Sequence, residues 1–285
     1  WRMSWKQSDE PDSVVSSPLV NHFEIQESWA HEVTLEGTPS DAEWISGALD
    51  YTSLPQGKDK GTETTADFTS WAGRLNLNLP FFAAHFRYMV SDISGESLAI
   101  DSESGEYAQV DFDTQLKISE VLFSFPVLPQ LRLGYRQVEK TVPQAIYVMR
   151  GDTKVAARVD PGFNWRSHYA LLGVTDEVGP GNSGDGWVAR YRAHYGYGRN
   201  EPSSAVVREA GVGEYMDGER SELYEVAFSV GRRWRVLGEG RHVGVRLGYR
   251  HMEEVMSLSD SDGVYIYGES SSRYSGPFLS LEGKI

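Results

Sequence analysis

An alternation of aromatic and cationic residues in segment 187–197 constrains the fold more than any other feature of the chain. The odd positions carry aromatic residues and alanine: Trp187, Ala189, Tyr191, Ala193, Tyr195 and Tyr197. The even positions carry mostly cationic or small residues: Val188, Arg190, Arg192, His194 and Gly196. Because consecutive residues of a β-strand point to opposite faces, this segment predicts a strand with one aromatic face and one cationic face.

The same division recurs elsewhere in the chain. It appears at 74–79, 85–90, 131–136, 224–231 and 243–250. A strand of a parallel sheet that is covered on both sides is apolar on both faces, whereas these segments are apolar on one face only. The repetition therefore predicts an antiparallel sheet with one apolar and one polar surface.

The overall hydropathy is compatible with a membrane wall built from strands. The mean hydropathy is −0.43, and no stretch approaches the roughly 18 uncharged apolar residues that a spanning helix needs. A strand of a membrane barrel exposes only alternate residues to lipid, so its mean hydropathy stays near neutral. The chain also has 15 Tyr and 8 Trp, which favour membrane interfaces, and no Cys, which suits an oxidising periplasm.

Short and long connections alternate between the segments. Short breaks lie at 79–81, 126–130 and 236–240, and longer polar stretches lie at 94–105, 141–162, 200–221 and 257–272. This asymmetry is typical of transmembrane barrels, which have short periplasmic turns and longer outer loops.

The pattern predicts about ten strands, with eight or twelve as alternatives. The predicted strands are 22–36, 66–79, 82–93, 107–125, 131–140, 163–175, 186–199, 221–235, 241–256 and 272–285. An even count places both ends of the barrel on the periplasmic side, and 37–65 is then an outer loop. Within 107–125 the apolar parity changes from even to odd positions, which predicts a β-bulge near Ser119 and Glu120.

Two segments, LRLGYR at 131–136 and VRLGYR at 245–250, resemble strands of Gram-negative bacterial outer-membrane β-barrels. The resemblance is to the class and covers about residues 20–285, although Ile285 replaces the terminal aromatic residue common in the class. It implies an all-β, antiparallel up-and-down transmembrane β-barrel over residues 21–285, in the bacterial outer membrane and in contact with its lipid. Residues 1–20 are interpreted as a polar periplasmic tail. No signal-peptide pattern follows Trp1, so an exported protein would already have lost that segment.

The polar faces supply candidate residues for the lumen. The lumen-facing candidates are cationic or imidazole side chains: Arg74, His85, Arg87, Arg132, Arg136, Arg166, His168, Arg190, Arg192, His194, Arg246 and Arg250. The acids expected with them are Asp111, Asp113, Glu225 and Glu282. Two interpretations stay open: an arginine–carboxylate network that fills a small barrel, and a narrow conduit whose arginines attract anions. The small volume of a ten-stranded barrel favours the network.

Three functional hypotheses follow. The first is a narrow channel or uptake protein for small polar or anionic solutes. The second is a scaffold barrel that binds an envelope protein, and the third is a barrel enzyme acting on lipid or peptide. The net charge of −14 argues against nucleic acid as a partner. The chain contains no G-x-S-x-G, H-E-x-x-H or EF-hand motif, so no catalytic residue, metal site or cofactor is predicted.

Overall fold

The alternating segments form β-strands in the computed structural model. The structure describes residues 2–7, 22–25, 30–39, 44–58, 65–100, 107–150, 153–179, 185–202, 220–236, 241–258 and 267–284. All regular structure within these ranges is strand. A search of the same ranges finds no helix with the length and apolar character needed to cross a bilayer.

Thirteen strands are described. They are β1 (Arg2–Gln7), β2 (His22–Ile25), β3 (Ala30–Gly37), β4 (Ile45–Lys58), β5 (Thr65–Asn78), β6 (Ala83–Ile100), β7 (Tyr107–Phe125), β8 (Leu128–Arg150), β9 (Thr153–Val178), β10 (Gly186–Pro202), β11 (Arg220–Arg235), β12 (His242–Leu258) and β13 (Tyr267–Lys284).

Eleven of these strands, β3 to β13, close into a barrel. Each strand pairs antiparallel with the next one along the chain, and β13 closes the ring by pairing with β3. The closing pair is parallel and runs from Phe278 opposite Ala30 to Lys284 opposite Glu36. An odd number of alternating strands leaves the first and last pointing the same way, so closure has to be parallel. The predicted all-β barrel fold is confirmed. The barrel has eleven strands, where about ten were expected.

The additional strand is β4, which lies inside the segment 37–65 that was expected to be an outer loop. That expectation was wrong. β4 pairs with β3 and with β5, and its register with β5 shifts between Leu54 and Gly57, where Pro55 has no N–H to donate. With β4 in the wall, β3 runs toward the short turns as β13 does. The prediction that both ends of the barrel lie at the short-turn end was therefore also wrong.

The β-bulge expected near Ser119 and Glu120 is absent from the described part of β7. Both residues pair in unbroken register with β6 and with β8. The irregularity in pairing with β8 lies between Phe123 and Phe125, at the end of the strand. Even positions from Leu116 to Ser124 face inward throughout. The parity change in the sequence arises because the interior is apolar at Leu116, whereas the outer wall is apolar at Phe123.

The N-terminal strands extend the sheet at its closing edge. β1 pairs antiparallel with β13 from Arg2 opposite Ser275 to Gln7 opposite Ser270, and β2 pairs with β1. β13 thus binds β3 along its last residues and β1 along the part that is remote from the short turns. Residues 8–21 lie outside the described ranges, and the periplasmic location of residues 1–20 stays a prediction.

The outer surface of the wall is apolar over a continuous band. Large apolar side chains on this face are exposed, and Trp187 keeps 68% of its surface accessible. Members of the band on three successive strands include Trp187, Tyr191, Tyr195, Tyr197, Tyr224, Val226, Phe228, Val230, Trp234, Val243, Val245, Leu247 and Tyr249. A continuous apolar surface of this extent is larger than the exposed apolar patches of monomeric soluble proteins usually are.

Candidate functional site

The inward face of the barrel carries two kinds of side chain. Apolar residues gather in one layer, and charged residues lie beside this layer and toward the short turns. A cavity lies between the layer and the short-turn rim.

The apolar layer joins side chains from strands on opposite sides of the lumen. Its buried members are Leu116, Ile118, Leu122, Val138, Tyr169, Leu171, Leu223 and Met252, and Met89 and Tyr274 pack against them. These residues belong to β6, β7, β8, β9, β11, β12 and β13. Contacts between neighbouring strands can link these residues along the wall, and Leu171 and Leu223 flank Gly196 of the intervening strand β10.

A second set of contacts across the lumen adjoins the layer. The Tyr169 hydroxyl donates to the Glu254 carboxylate three strands away and bonds to the Ser221 hydroxyl. The Lys140 ammonium, on β8, also pairs with Glu254. Glu254 is almost fully buried, and a buried charge of this kind is tolerated when it is paired and hydrogen-bonded.

Beside the layer, Arg136 is the centre of a charged network. Its side chain is fully buried, and its Nε donates to Glu120 at 2.7 Å while Nη2 lies 2.5 Å from Glu225. Arg192 approaches the same two carboxylates, with Nη2 2.8 Å from Glu120 and Nε 3.5 Å from Glu225. Two guanidinium groups thus balance two carboxylates inside the barrel.

A second network surrounds Glu282 near the short turns. Its carboxylate accepts from Arg233 Nε at 2.6 Å, and lies 3.0 Å from Arg246 Nε and 3.2 Å from Arg190 Nη1. Arg233 also donates to Glu177 at 2.9 Å. The Glu282 carboxylate is shared by arginines of β10, β11 and β12, so it links these three strands to β13.

The β3–β5 side of the lumen contains separate ion pairs. Arg74 binds Asp50 through two hydrogen bonds of 2.7 Å each, in the bidentate geometry that strengthens arginine–carboxylate pairs. Arg250 Nη2 lies 3.1 Å from Glu32. Arg190 also reaches across the lumen to within 3.7 Å of Glu36.

The cavity has a volume of about 540 Å³. It reaches from Glu36 and Glu177, beside the ends of their strands at the short turns, to Met252 and Tyr274 of the apolar layer. Thirteen of its 29 lining residues are charged, and the acidic groups among them are mostly bound to arginine. The cavity therefore extends from the region of the short turns to the layer.

Two arginines in the cavity lining differ from the others. Arg87 and Arg132 line the cavity, yet neither forms an ion pair with a carboxylate among the described residues. Arg87 Nη2 has a thioether partner, Met89 Sδ at 3.3 Å, and Arg132 donates to the carbonyl oxygen of Pro129. Arg192 lies within electrostatic range of both, as do carboxylates that form no ion pair with them, Glu120 and Glu225 for Arg87 and Asp176 for Arg132. Arg87 and Arg132 are therefore lining arginines whose N–H donors no carboxylate among the described residues takes up.

Ten of the twelve candidates proposed from the sequence lie on the inward face. They are Arg74, His85, Arg87, Arg132, Arg136, Arg190, Arg192, His194, Arg246 and Arg250. The structure brings Arg136, Arg192 and His194 together around Glu225, and it brings Arg190 and Arg246 together around Glu282.

The other two candidates, Arg166 and His168, lie on the outer face, so the expectation that they face the lumen was wrong. Ser167 and Tyr169 are the buried, inward residues of this part of β9. Arg166 lies 3.5 Å from Glu139, and His168 bonds to the hydroxyl of the exposed Tyr135. Charge was a misleading guide here because the apolar layer makes the inward face of β9 apolar at this height.

The expected acids divide in a similar way. Glu225 and Glu282 lie inward and are buried, whereas Asp113 is exposed on the outer parity of β7, contrary to expectation. The side chain of Asp111 lies outside the described residues. Inward acids that the sequence analysis missed are Glu32, Glu36, Asp50, Glu120, Glu177 and Glu254. The sequence does contain a signal for Glu120, because this residue has the same even, inward parity as Leu116 and Ile118.

Glu120, His194 and Glu225 offer ligand atoms that all lie within 4.8 Å of one another, the spacing of a metal site. The surrounding charges do not suit a cation. Arg136 and Arg192 already bind both carboxylates, and Arg192 Nε donates to His194 Nδ1 at 3.2 Å. His194 Nε2 lies 3.0 Å from Thr175 Oγ1. The residues therefore fit an arginine–carboxylate network rather than a metal centre.

No protein-family model, no curated protein and no solved structure matches the chain.

Proposed function

We propose that the protein is an outer-membrane β-barrel that takes up small polar or anionic solutes through its short-turn cavity. The membrane part of the proposal rests on the outer band. From Trp187 to Tyr197, β10 advances by about ten residues, which at ~3.3 Å per residue and a tilt of ~40° gives a height of about 25 Å. This is the height of the apolar band of a transmembrane barrel, and aromatic residues lie at both of its edges.

The observation that carries the solute proposal is the pair Arg87 and Arg132. Both line the cavity and lack an ion pair among the described residues, while the neighbouring arginines are balanced by carboxylates. In a partly enclosed site with reduced dielectric, such charges attract an anion more strongly than exposed arginines do. A cavity of about 540 Å³ is large enough for a small organic anion.

The apolar layer limits how a solute could pass. Beside the buried apolar cluster, Tyr169 and Lys140 reach across the lumen to Glu254, so the lumen narrows beyond the charged cavity. Passage beyond the cavity would require these side chains to move. The proposal is therefore a narrow, anion-preferring barrel with low conductance, not a wide pore.

Reconstitution into planar bilayers tests this proposal. We expect small, anion-selective conductance under a KCl gradient, and we expect the variant Arg87→Gln/Arg132→Gln to lose most of that selectivity because it removes the two lining arginines that no described carboxylate pairs with. The matched control is Arg232→Gln, which changes an exposed arginine on the outer face of β11. Cation selectivity of the wild-type protein, or unchanged selectivity in the double variant, would contradict the proposal.

The second candidate function is a scaffold barrel that binds an envelope protein, and the apolar layer is the observation that favours it. A barrel whose lumen is filled by its own side chains needs no transport role to explain its interior. This alternative predicts no conductance from a correctly folded protein, and co-purification of the same envelope partner with wild-type protein but not with a variant lacking residues 1–20.

A further inference from the structure

The outer face of the wall carries a row of three basic residues on adjacent strands. His168 of β9 is the direct cross-strand partner of Arg199 of β10, and Arg199 is the direct partner of Arg220 of β11. All three have the outward parity of their strands. We call these three residues the basic row.

Two arginines directly opposite each other on one face of an antiparallel pair repel. Their Cβ atoms are about 5 Å apart, and like charges in this arrangement destabilise a sheet. Arg220 is partly balanced, because it pairs with Glu222 and its guanidinium carbon lies 5.4 Å from the centre of the Tyr197 ring. Arg199 is exposed and has no carboxylate partner within the described ranges. The row thus contains a positive charge that the described protein does not neutralise.

The position of the row relative to the apolar band indicates what could neutralise it. Tyr197 lies two residues before Arg199 on the same face, and the ring centres of Tyr195 and Tyr224 lie 5.3 Å apart just below. Apolar side chains continue from there toward the short turns. Tyrosine at the edge of an apolar band lies at the level of lipid headgroups, so the basic row is at headgroup height at the long-loop end.

We propose that the basic row binds the phosphate groups of a phosphorylated glycolipid in the outer leaflet. A phosphate oxygen pair suits the planar donor fork of arginine, and its negative charge would offset the repulsion between Arg199 and Arg220. The apolar wall below the row gives the acyl chains of the same lipid a surface to lie on, which a free phosphate ion could not use. This inference rests on the proposed membrane location.

The charge of the row is local rather than general. The whole chain has a net charge of −14, so it would repel anionic lipid on average. A phosphate contact is therefore expected where arginines are concentrated and not elsewhere on the wall. Arg232 provides the comparison, because it is an exposed arginine on the same face of β11 but lies near the short turns beside Trp234.

The experiment uses the folded full-length chain in zwitterionic detergent. A diphosphorylated glycolipid, the same glycolipid after removal of its phosphates, and inorganic phosphate are each titrated in, and the midpoint of thermal unfolding is measured by heat-modifiable gel migration. The proteins are wild type, Arg199→Gln, Arg199→Gln/Arg220→Gln, and the control Arg232→Gln.

We expect the diphosphorylated glycolipid to raise the midpoint of the wild type and of Arg232→Gln, and to bind the double variant about tenfold more weakly or worse, as two arginines at an anionic surface imply. The dephosphorylated glycolipid should not separate the variants, and inorganic phosphate should have little effect. Without any lipid phosphate, Arg199→Gln should unfold at a higher temperature than the wild type because the repulsion is gone. If Arg199 were needed only for structure, its replacement would lower the unfolding midpoint instead.

Equal binding of the two glycolipids by the wild type would overturn the inference, as would an equal loss in Arg232→Gln. An effect of inorganic phosphate as large as that of the glycolipid would also overturn it, since it would show an ion site without a lipid. Failure of the proposed membrane location gives a different result, because the wild type would then stay soluble without detergent and would not float with phosphatidylcholine vesicles.

Discussion

The guanidinium of Arg136 joins Glu120 on the neighbouring strand to Glu225 three strands away, inside the barrel and out of contact with solvent. It thereby links two parts of the wall that share no backbone hydrogen bonds. The other charged contacts across the lumen depend on the same principle: each buried carboxylate has a cation beside it, arginine for Glu282 and Lys140 for Glu254.

Removal of this guanidinium should destabilise the barrel. We expect Arg136→Met to lower the free energy of unfolding by about 3 kcal/mol or more, because it leaves buried carboxylates with too little positive charge. Addition of Glu225→Gln should restore part of the loss. The measurement is urea unfolding in detergent micelles, with Arg241→Gln, an exposed turn position, as the control. An equal loss in the single and the double variant would argue against charge as the cause.

Close approach of strands should make Gly173 intolerant of any side chain. A Cβ at this position would overlap the carbonyl oxygen of Ala193 and the ring of His194 on the paired strand. We expect Gly173→Ala to cost about 1–3 kcal/mol in unfolding free energy, the usual range for overpacking. Gly73→Ala is the matched control, since nothing lies within 4 Å of a Cβ there, and its effect should stay within about 0.5 kcal/mol. Similar losses in both variants would contradict the steric explanation.

The apolar layer should control conductance. Leu223 is fully buried in the layer, and Met252 of the next strand packs in the same cluster, so Leu223→Ala/Met252→Ala should open space across the lumen and raise single-channel conductance. The control is Val226→Ala on the outer face of β11, which changes the outer wall and leaves the lumen alone. Unchanged conductance in a correctly folded double variant would show that the layer is not the constriction.

Deletion of residues 1–7 should expose a strand edge. β1 covers β13 from Ser270 to Ser275, whereas residues 278–284 pair with β3 and should be unaffected. We expect faster amide hydrogen exchange at 270–275 and unchanged exchange at 278–284, which serves as the internal control. The bare edge should also promote association between copies, since an unpaired strand edge is a template for further pairing. Equal exchange at 270–275 with and without β1 would contradict this pairing.

Alternation predicted the fold well wherever the outer wall is apolar and the interior is charged, as at Trp187 and Arg190. It failed where the interior is itself apolar. At Leu116 and Tyr169 the inward face carries the apolar residues, so the outward His168 was assigned to the lumen. β4 was missed for a related reason, because Asp50 and Thr52 on its inward face and Pro55 near its end resemble a polar loop.

The ion pairs depended on information that periodicity does not contain. Arg136 was identified as an inward residue, but its partner Glu120 is known only once β7 and β8 are in register. The contact with Glu225 further requires the curvature that brings β8 toward β11. The faces of single strands follow from the sequence, whereas pairings across the lumen follow from closure.

The parallel seam between β3 and β13 has a consequence for how the ring is completed. It joins residues from nearly opposite ends of the chain, from Ala30 with Phe278 to Glu36 with Lys284, so bringing them together costs more loop entropy than any hairpin does. Parallel ladders are also slightly weaker per residue than antiparallel ones. We therefore expect β3 and β13 to pair last when the barrel assembles and to separate first when the barrel is forced open. The seam would then be the site of lateral opening in the wall.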